Sequence, residues 1–183
     1  MRKLGIALVI LILLAAIGLP LLKRYTKSFS PAAEARYQKD GVTVKVDYCR
    51  PSAKGRVIFG EKSAGAVVPF GQYWRVGANE ATVFANSAPL LVNGKELPAG
   101  KYALYAFPGP NNWTIVFNSD WNRWGYSPPD TQKDVLRVEV PAGTAPEKKE
   151  MFEISFEDLD ASGTAHADLN WDKTLVRVPF SKK

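Results

Sequence analysis

The chain has 183 residues, 46% of them hydrophobic, which is enough for one well-packed domain plus an extension and excludes a disordered polypeptide. Its formal charge of +6 is unevenly placed, because residues 1–27 carry five basic side chains and no acid, leaving 19 basic against 18 acidic residues in the remainder. The basic excess therefore belongs to the flanks of one apolar segment, which points to a membrane and excludes a nucleic-acid-binding surface. One cysteine and one histidine are too few for a typical zinc site, so neither a metal nor a cofactor is expected.

Leu4–Leu22 runs for 19 residues without a charge. As a helix it would extend about 28 Å, close to the hydrocarbon thickness of a bilayer. Residues 1–27 thus read as an uncleaved transmembrane anchor with basic ends. A cleaved signal peptide is the competing reading, with Ala16-Ile17-Gly18 or Ala33-Glu34-Ala35 as cleavage sequences. Arg2 and Lys3 on one side balance Lys23, Arg24 and Lys27 on the other, so charge does not orient the segment. A single N-terminal anchor ahead of one folded domain places that domain on the extracytoplasmic side, periplasmic or surface-exposed. Cys49 has no internal disulfide partner and is silent on compartment.

Residues 28–40 read as a linker, and residues 41–183 as an all-β domain. In VTVKVDY, Val42, Val44, Val46 and Tyr48 share one face, the mark of a half-buried strand. Pro51 ends it, and Gly55 permits a tight turn into RVIF. Short strands follow over 81–86 and 90–92, and Asn93-Gly94 is a strong hairpin signal because both positions of a type I′ turn need positive φ. Further strands are expected over 101–107, 113–118, 135–140, 151–157, 164–171 and 174–180. Trp113, Ile115 and Phe117 share one face, as do Phe152, Ile154 and Phe156, and Val176, Val178 and Phe180; these are core ladders. About ten short strands with Gly, Pro and Asn between them describe an antiparallel β-sandwich.

Two stretches stand out chemically. YCRPSAKGRVIF (48–59) and PFGQYWRVGANEATVFA (69–85) contribute Arg50, Lys54, Arg56, Arg75, Asn79 and Glu80. Guanidinium forks bind carboxylate or phosphate through two points, and a glycine such as Gly77 lets backbone approach a ligand closely. The two stretches are expected to meet, with Arg50 or Arg56 and Arg75 within reach of Glu80. The alternative is a structural network in which Glu80 and Asp47 neutralise the arginines. The loop DWNRWGYSPPD offers Trp121, Trp124 and Tyr126 as an aromatic platform for a sugar or a partner, unless the two tryptophans fold inward and staple it down. His166 lies in an alternating stretch with no nucleophile elbow and reads as a strand residue, and Cys49 reads as a small half-buried hydrophobe.

YCRPSAKGRVIFG, VPFGQYWRVGANEAT, VNGKELPAGKYALYAFPG, NNWTIVFN and KDVLRVEV occur in that order and resemble the bacterial family known as domain of unknown function 2911, over roughly residues 28–180. The resemblance implies a secreted or envelope-facing β-sandwich with no established activity and supplies no catalytic residues. Two features depart from the family pattern: Cys49 stands where serine or glycine is common, and a long apolar segment replaces the usual cleaved signal. The combined reading is a membrane-anchored extracytoplasmic binding or scaffolding module. An enzyme built on Arg50, Arg56, Arg75 and Glu80, and an accessory subunit of a membrane complex, are the alternatives.

Overall fold

The computed structural model describes residues 14, 16–21, 25, 27–158 and 163–183. The expected anchor, Leu4–Leu22, lies largely outside these residues, and among the described residues no helix is long and apolar enough to cross a membrane.

Eleven strands are present among the described residues: β1 (Ala32–Lys39), β2 (Val42–Cys49), β3 (Phe59–Gly60), β4 (Val68–Pro69), β5 (Thr82–Asn86), β6 (Leu90–Val92), β7 (Lys95–Leu97), β8 (Gly100–Phe107), β9 (Asn112–Asn118), β10 (Asp134–Glu157) and β11 (Ala165–Lys182). Nine of them form one antiparallel sheet in the order β1-β2-β5-β8-β9-β10-β11-β6-β7. β3 and β4 make a separate parallel pair.

The chain is mostly β, as expected, but the strands are not uniformly short. The four strands expected after residue 134 are two long ones of 24 and 18 residues. β10 pairs with β9 from Asp134 to Pro141 and then with β11 from Ala142 onward, so it passes from one half of the sheet to the other. Register shifts along its second half allow the bend, as bulges do wherever a strand turns a corner. The stretch expected as a linker also contributes β1, which pairs along its whole length with β2 through a turn at Asp40-Gly41. Both turn residues have positive φ, 49° and 76°, the requirement of a two-residue hairpin turn. Asn93-Gly94 does the same between β6 and β7, as the sequence indicates.

The bent sheet brings its two halves face to face. The Tyr48 hydroxyl accepts from the Ile154 amide at 3.0 Å and donates to the Ile154 carbonyl at 3.3 Å, tying β2 to β10 across the interior. The Tyr37 ring packs on Phe156 and Phe180. Between the halves lie the expected ladders, with Trp113, Ile115, Phe117, Phe152, Val176 and Phe180 all buried. At one end the interior is closed: the space among Val46, Phe84, Ile115, Ile154 and Val178 is about 10 Å³. At the other end Phe59, Trp74, Trp113, Phe152 and Trp171 interlock by edge-to-face and stacked contacts, and beyond them the domain opens.

Candidate functional site

The open end is organised by an irregularity in β10. Between the pairs Lys149↔Asp172 and Glu153↔Asn170 the ladder to β11 breaks. The freed backbone of Glu150 and Phe152 instead holds the segment after β2: Ala53 N donates to Glu150 O at 2.7 Å, and Phe152 N donates to Pro51 O at 2.9 Å. Buried backbone groups must find partners, so this break fixes the Pro51–Arg56 loop in place. The second distinctive stretch is fixed from the other side, where Trp74 exchanges two backbone hydrogen bonds with Ala106 of β8, both at 2.8 Å.

Between these two segments lies a cavity of about 580 Å³. Trp74 and Trp171 line it; their rings stack at 5.9 Å and 17°. Lys54, Arg56 and Arg75 contribute its charge, and no carboxylate lines it among the described residues. Arg75 is preset: its stem passes so close to Gly125 that a Cβ there would meet Arg75 Cδ at 2.8 Å, and its Nη1 donates to Asn79 O at 3.2 Å. Arg56 braces its own loop through Ala53 O at 3.0 Å and Ser52 O at 2.6 Å. The Lys54 ammonium sits over the Phe29 ring at 5.3 Å. Among the described residues none of these three cations has a carboxylate ion-pair partner.

Trp171 is 2% exposed, and among the described residues its buried indole Nε1–H has no acceptor. A buried donor left without a partner costs about 1–3 kcal/mol, a penalty carried by the wall of the cavity. Tyr73 also lines the cavity; burial pushes its hydroxyl pKa up while Arg123 and Arg75 oppose the shift, so it is a neutral hydrogen-bonding group at ordinary pH.

The same wall concentrates unusual backbone. Lys54, Val76 and Asn79 all have positive φ, at 50°, 50° and 61°. For the β-branched, fully buried Val76 this conformation is a true outlier. It is held by the Thr82 hydroxyl, which donates to Val76 O at 2.6 Å. Gly77, at φ 145°, is required: a Cβ would lie 2.9 Å from Cys49 O. Strain of this kind clusters at ligand sites because only an over-determined surrounding sustains it.

The two distinctive segments therefore meet, as the sequence suggests, but their charges pair differently from expectation. Lys54, Arg56, Arg75 and Asn79 share the cavity. Arg50 leaves it: the guanidinium donates to Phe152 O at 3.0 Å and lies 3.7 Å from Glu153. Glu80 faces the other way and binds Lys27 at 2.6 Å. That hydrogen bond holds the Lys27 ammonium above its ordinary pKa, against a smaller effect of burial. Asp47 pairs with Lys45 at 3.0 Å, so it neutralises no arginine here.

Glu80 belongs to a second, smaller hollow of about 300 Å³ with Cys49, Trp121 and Arg123. Cys49 is more buried than expected, and its thiol lies 3.8 Å from Glu80. Burial pushes this thiol pKa up; a hydrogen bond with Asn79 opposes the rise, and the Glu80 charge reinforces it. This is the opposite of an activated nucleophile.

The aromatic loop is fixed by backbone rather than by its rings. Ala81 N donates to Arg123 O at 3.2 Å, Gly125 N to Asn79 O at 3.1 Å, and the Tyr73 hydroxyl to Gly125 O at 3.2 Å. Trp121, Trp124 and Tyr126 remain 37%, 44% and 76% exposed, so the inward staple does not form. Lys101 covers the Trp121 ring at 5.0 Å. His166 lies in β11 opposite Glu157, an ordinary strand position.

Sequence reasoning missed Trp171, Tyr73 and Phe29 as cavity residues. Trp171 stands 97 positions after Trp74 and reads locally as one more core residue of a strand. No local pattern could have singled it out.

Residues 30–180 match the family described as Protein of unknown function (DUF2911). The chain belongs to this family. No curated protein and no solved structure shows significant similarity to it. The match begins at Ser30, in the wall of the cavity, so the family domain includes both distinctive segments and the aromatic loop.

Proposed function

We propose that this protein is a membrane-anchored extracytoplasmic binding module whose cavity captures an anion, a carboxylate or a phosphate. One observation carries the reading: Lys54, Arg56 and Arg75 line a common space that no described carboxylate enters. Charge-assisted hydrogen bonds contribute about 1.5–3 kcal/mol each, so two or three of them are enough for a small ligand. The apolar run Leu4–Leu22 with its basic flanks supports the anchor, and the single-anchor arrangement supports the extracytoplasmic placement.

An enzyme using Arg50, Arg56, Arg75 and Glu80 together gains little support, because Arg50 is engaged with Glu153 and Glu80 with Lys27. The accessory-subunit reading draws on the exposed Trp121, Trp124 and Tyr126, which suit a protein partner. Co-purification from mild detergent separates it from a free-standing binder. A partner retained by the native chain and lost on replacing both tryptophans with alanine would favour the subunit.

The test of anion capture is a calorimetric titration of the full chain with inorganic phosphate and with acetate at fixed ionic strength. One site is expected, with affinity lost in Arg75→Ala while the melting temperature is retained, because among the described residues Arg75 makes no ion pair to break. Equal heats for Arg75→Ala and the native chain would overturn the assignment.

A further inference from the structure

The cavity is joined to the membrane-proximal chain. Phe29 and Ser30 form part of its wall, and Lys27 is clamped to Glu80 on the loop that carries Asn79. Leu22, the end of the apolar run, precedes Phe29 by seven residues, which even fully extended reach only about 25 Å. Tyr25, Lys27 and Ser28 are helical, which shortens the reach further. In a chain anchored by Leu4–Leu22 the cavity mouth is therefore held near the lipid headgroups.

The mouth is also two-sided in chemistry. Phe29 and Val67 line it and remain exposed, with exposed Val57 adjacent, while Lys54, Arg56 and Arg75 provide its charge. The Tyr25 ring packs edge-on against Phe29 at 5.0 Å and extends the apolar rim toward the anchor. Exposed apolar side chains around a cationic pocket suit a ligand whose anionic head enters first and whose hydrocarbon remains at the rim. Aromatic residues with basic neighbours are also the usual furniture of the membrane interface.

We propose that the cavity receives the phosphate-bearing headgroup of an anionic phospholipid from the bilayer in which the chain is anchored. This rests on the anion-capture reading and adds a source for the anion. Inorganic phosphate shares the headgroup chemistry but lacks the hydrocarbon, so the two can be told apart.

The experiment measures dissociation constants for the full chain in neutral detergent micelles, using dioctanoyl phosphatidic acid, dioctanoyl phosphatidylcholine and inorganic phosphate. Phosphatidic acid is expected to bind at least tenfold more tightly than either of the others. Arg56→Ala should weaken both phosphatidic acid and phosphate. Val57→Ser and Val67→Ser should erase the advantage of phosphatidic acid while leaving phosphate binding unchanged, a result that loss of folding cannot imitate. If phosphate binds as tightly as phosphatidic acid, the lipid assignment is wrong and anion capture stands. If phosphatidylcholine binds as well as phosphatidic acid, the headgroup charge is not being read and the assignment is again wrong. If none of the three binds, both readings are wrong.

Discussion

The two ends of this interior are built from similar residues and differ in what they leave unfinished. At the closed end Val46, Phe84, Ile115, Phe117 and Val178 meet with about 10 Å³ of space among them. At the open end Trp74 and Trp171 border about 580 Å³, and the surrounding wall holds three positive-φ side chains and an orphan indole N–H. Close packing is the default state of a protein interior, and an unpaired buried donor is a penalty. That close packing is relaxed at the end where three cations have no carboxylate partner among the described residues is the physical argument for a site. The closed end shows that the sheet can seal its core where nothing needs to enter.

Truncation should separate the ends most sharply. Phe117→Ala removes a fully buried ring from the closed end and should cost about 3–5 kcal/mol in chemical denaturation, with anion affinity unchanged in the fraction that remains folded. A loss of affinity with little loss of stability would break the contrast. Gly77→Ala is next in size. Its Cβ would sit 2.9 Å from Cys49 O at a backbone angle suited to glycine, and about 1–3 kcal/mol of destabilisation is expected, together with weaker anion binding as the loop shifts. Unaltered stability would mean that the wall is not held as tightly as the geometry indicates.

The fold was largely legible because alternation and turn chemistry are local signals. β2, β5, β6, β8, β9 and the Asn93-Gly94 hairpin follow directly from period-two patterning and positive-φ residues. Pro141, Gly143 and Pro146 read as breaks between strands, yet they lie inside β10 where it changes partners and register. A proline is tolerated there because the pairing is already irregular. Asp172, likewise read as the gap between two strands, is a positive-φ kink within β11. The site was legible only by neighbourhood. Arg50 and Arg56 are six positions apart, but the end of β2 directs one toward β10 and the following loop leaves the other at the cavity. Side-chain direction at a strand end depends on tertiary partners that composition does not encode.

Smaller changes sharpen the comparison. Trp171→Phe keeps an aromatic ring at the cavity and deletes the unpartnered donor, so the relieved penalty of about 1–3 kcal/mol offsets the lost ring contacts; stability in chemical denaturation should change by no more than about 1 kcal/mol, with anion affinity reduced less than in Arg75→Ala by titration. Lys54→Gly should raise stability. Relief of its φ of 50° is worth about 1 kcal/mol, and thermal unfolding should rise even as anion binding weakens. A stability gain with intact binding would remove Lys54 from the site.

The smallest effect concerns Cys49, whose thiol pKa is raised in the folded chain chiefly by burial. The stability it contributes is fully present below the unfolded thiol pKa and is lost as pH rises through the higher folded value. Iodoacetamide alkylation of the native chain should accordingly remain slow through neutral pH and accelerate only above the ordinary thiol range. Rapid neutral-pH alkylation would contradict the buried, unactivated environment.

The central claim is that an anion enters among Lys54, Arg56 and Arg75, beside the Trp171 ring. It can be read from the indole N–H resonances of the five tryptophans in ¹⁵N-labelled full chain, with Trp171→Phe identifying one of them. On titration with inorganic phosphate the Trp171 Nε1–H signal should shift and saturate as charge binds beside the ring, while that of buried Trp113 stays in place. A Trp171 signal that remains fixed while phosphate is added to saturation, or that moves equally in Arg75→Ala, would contradict the account.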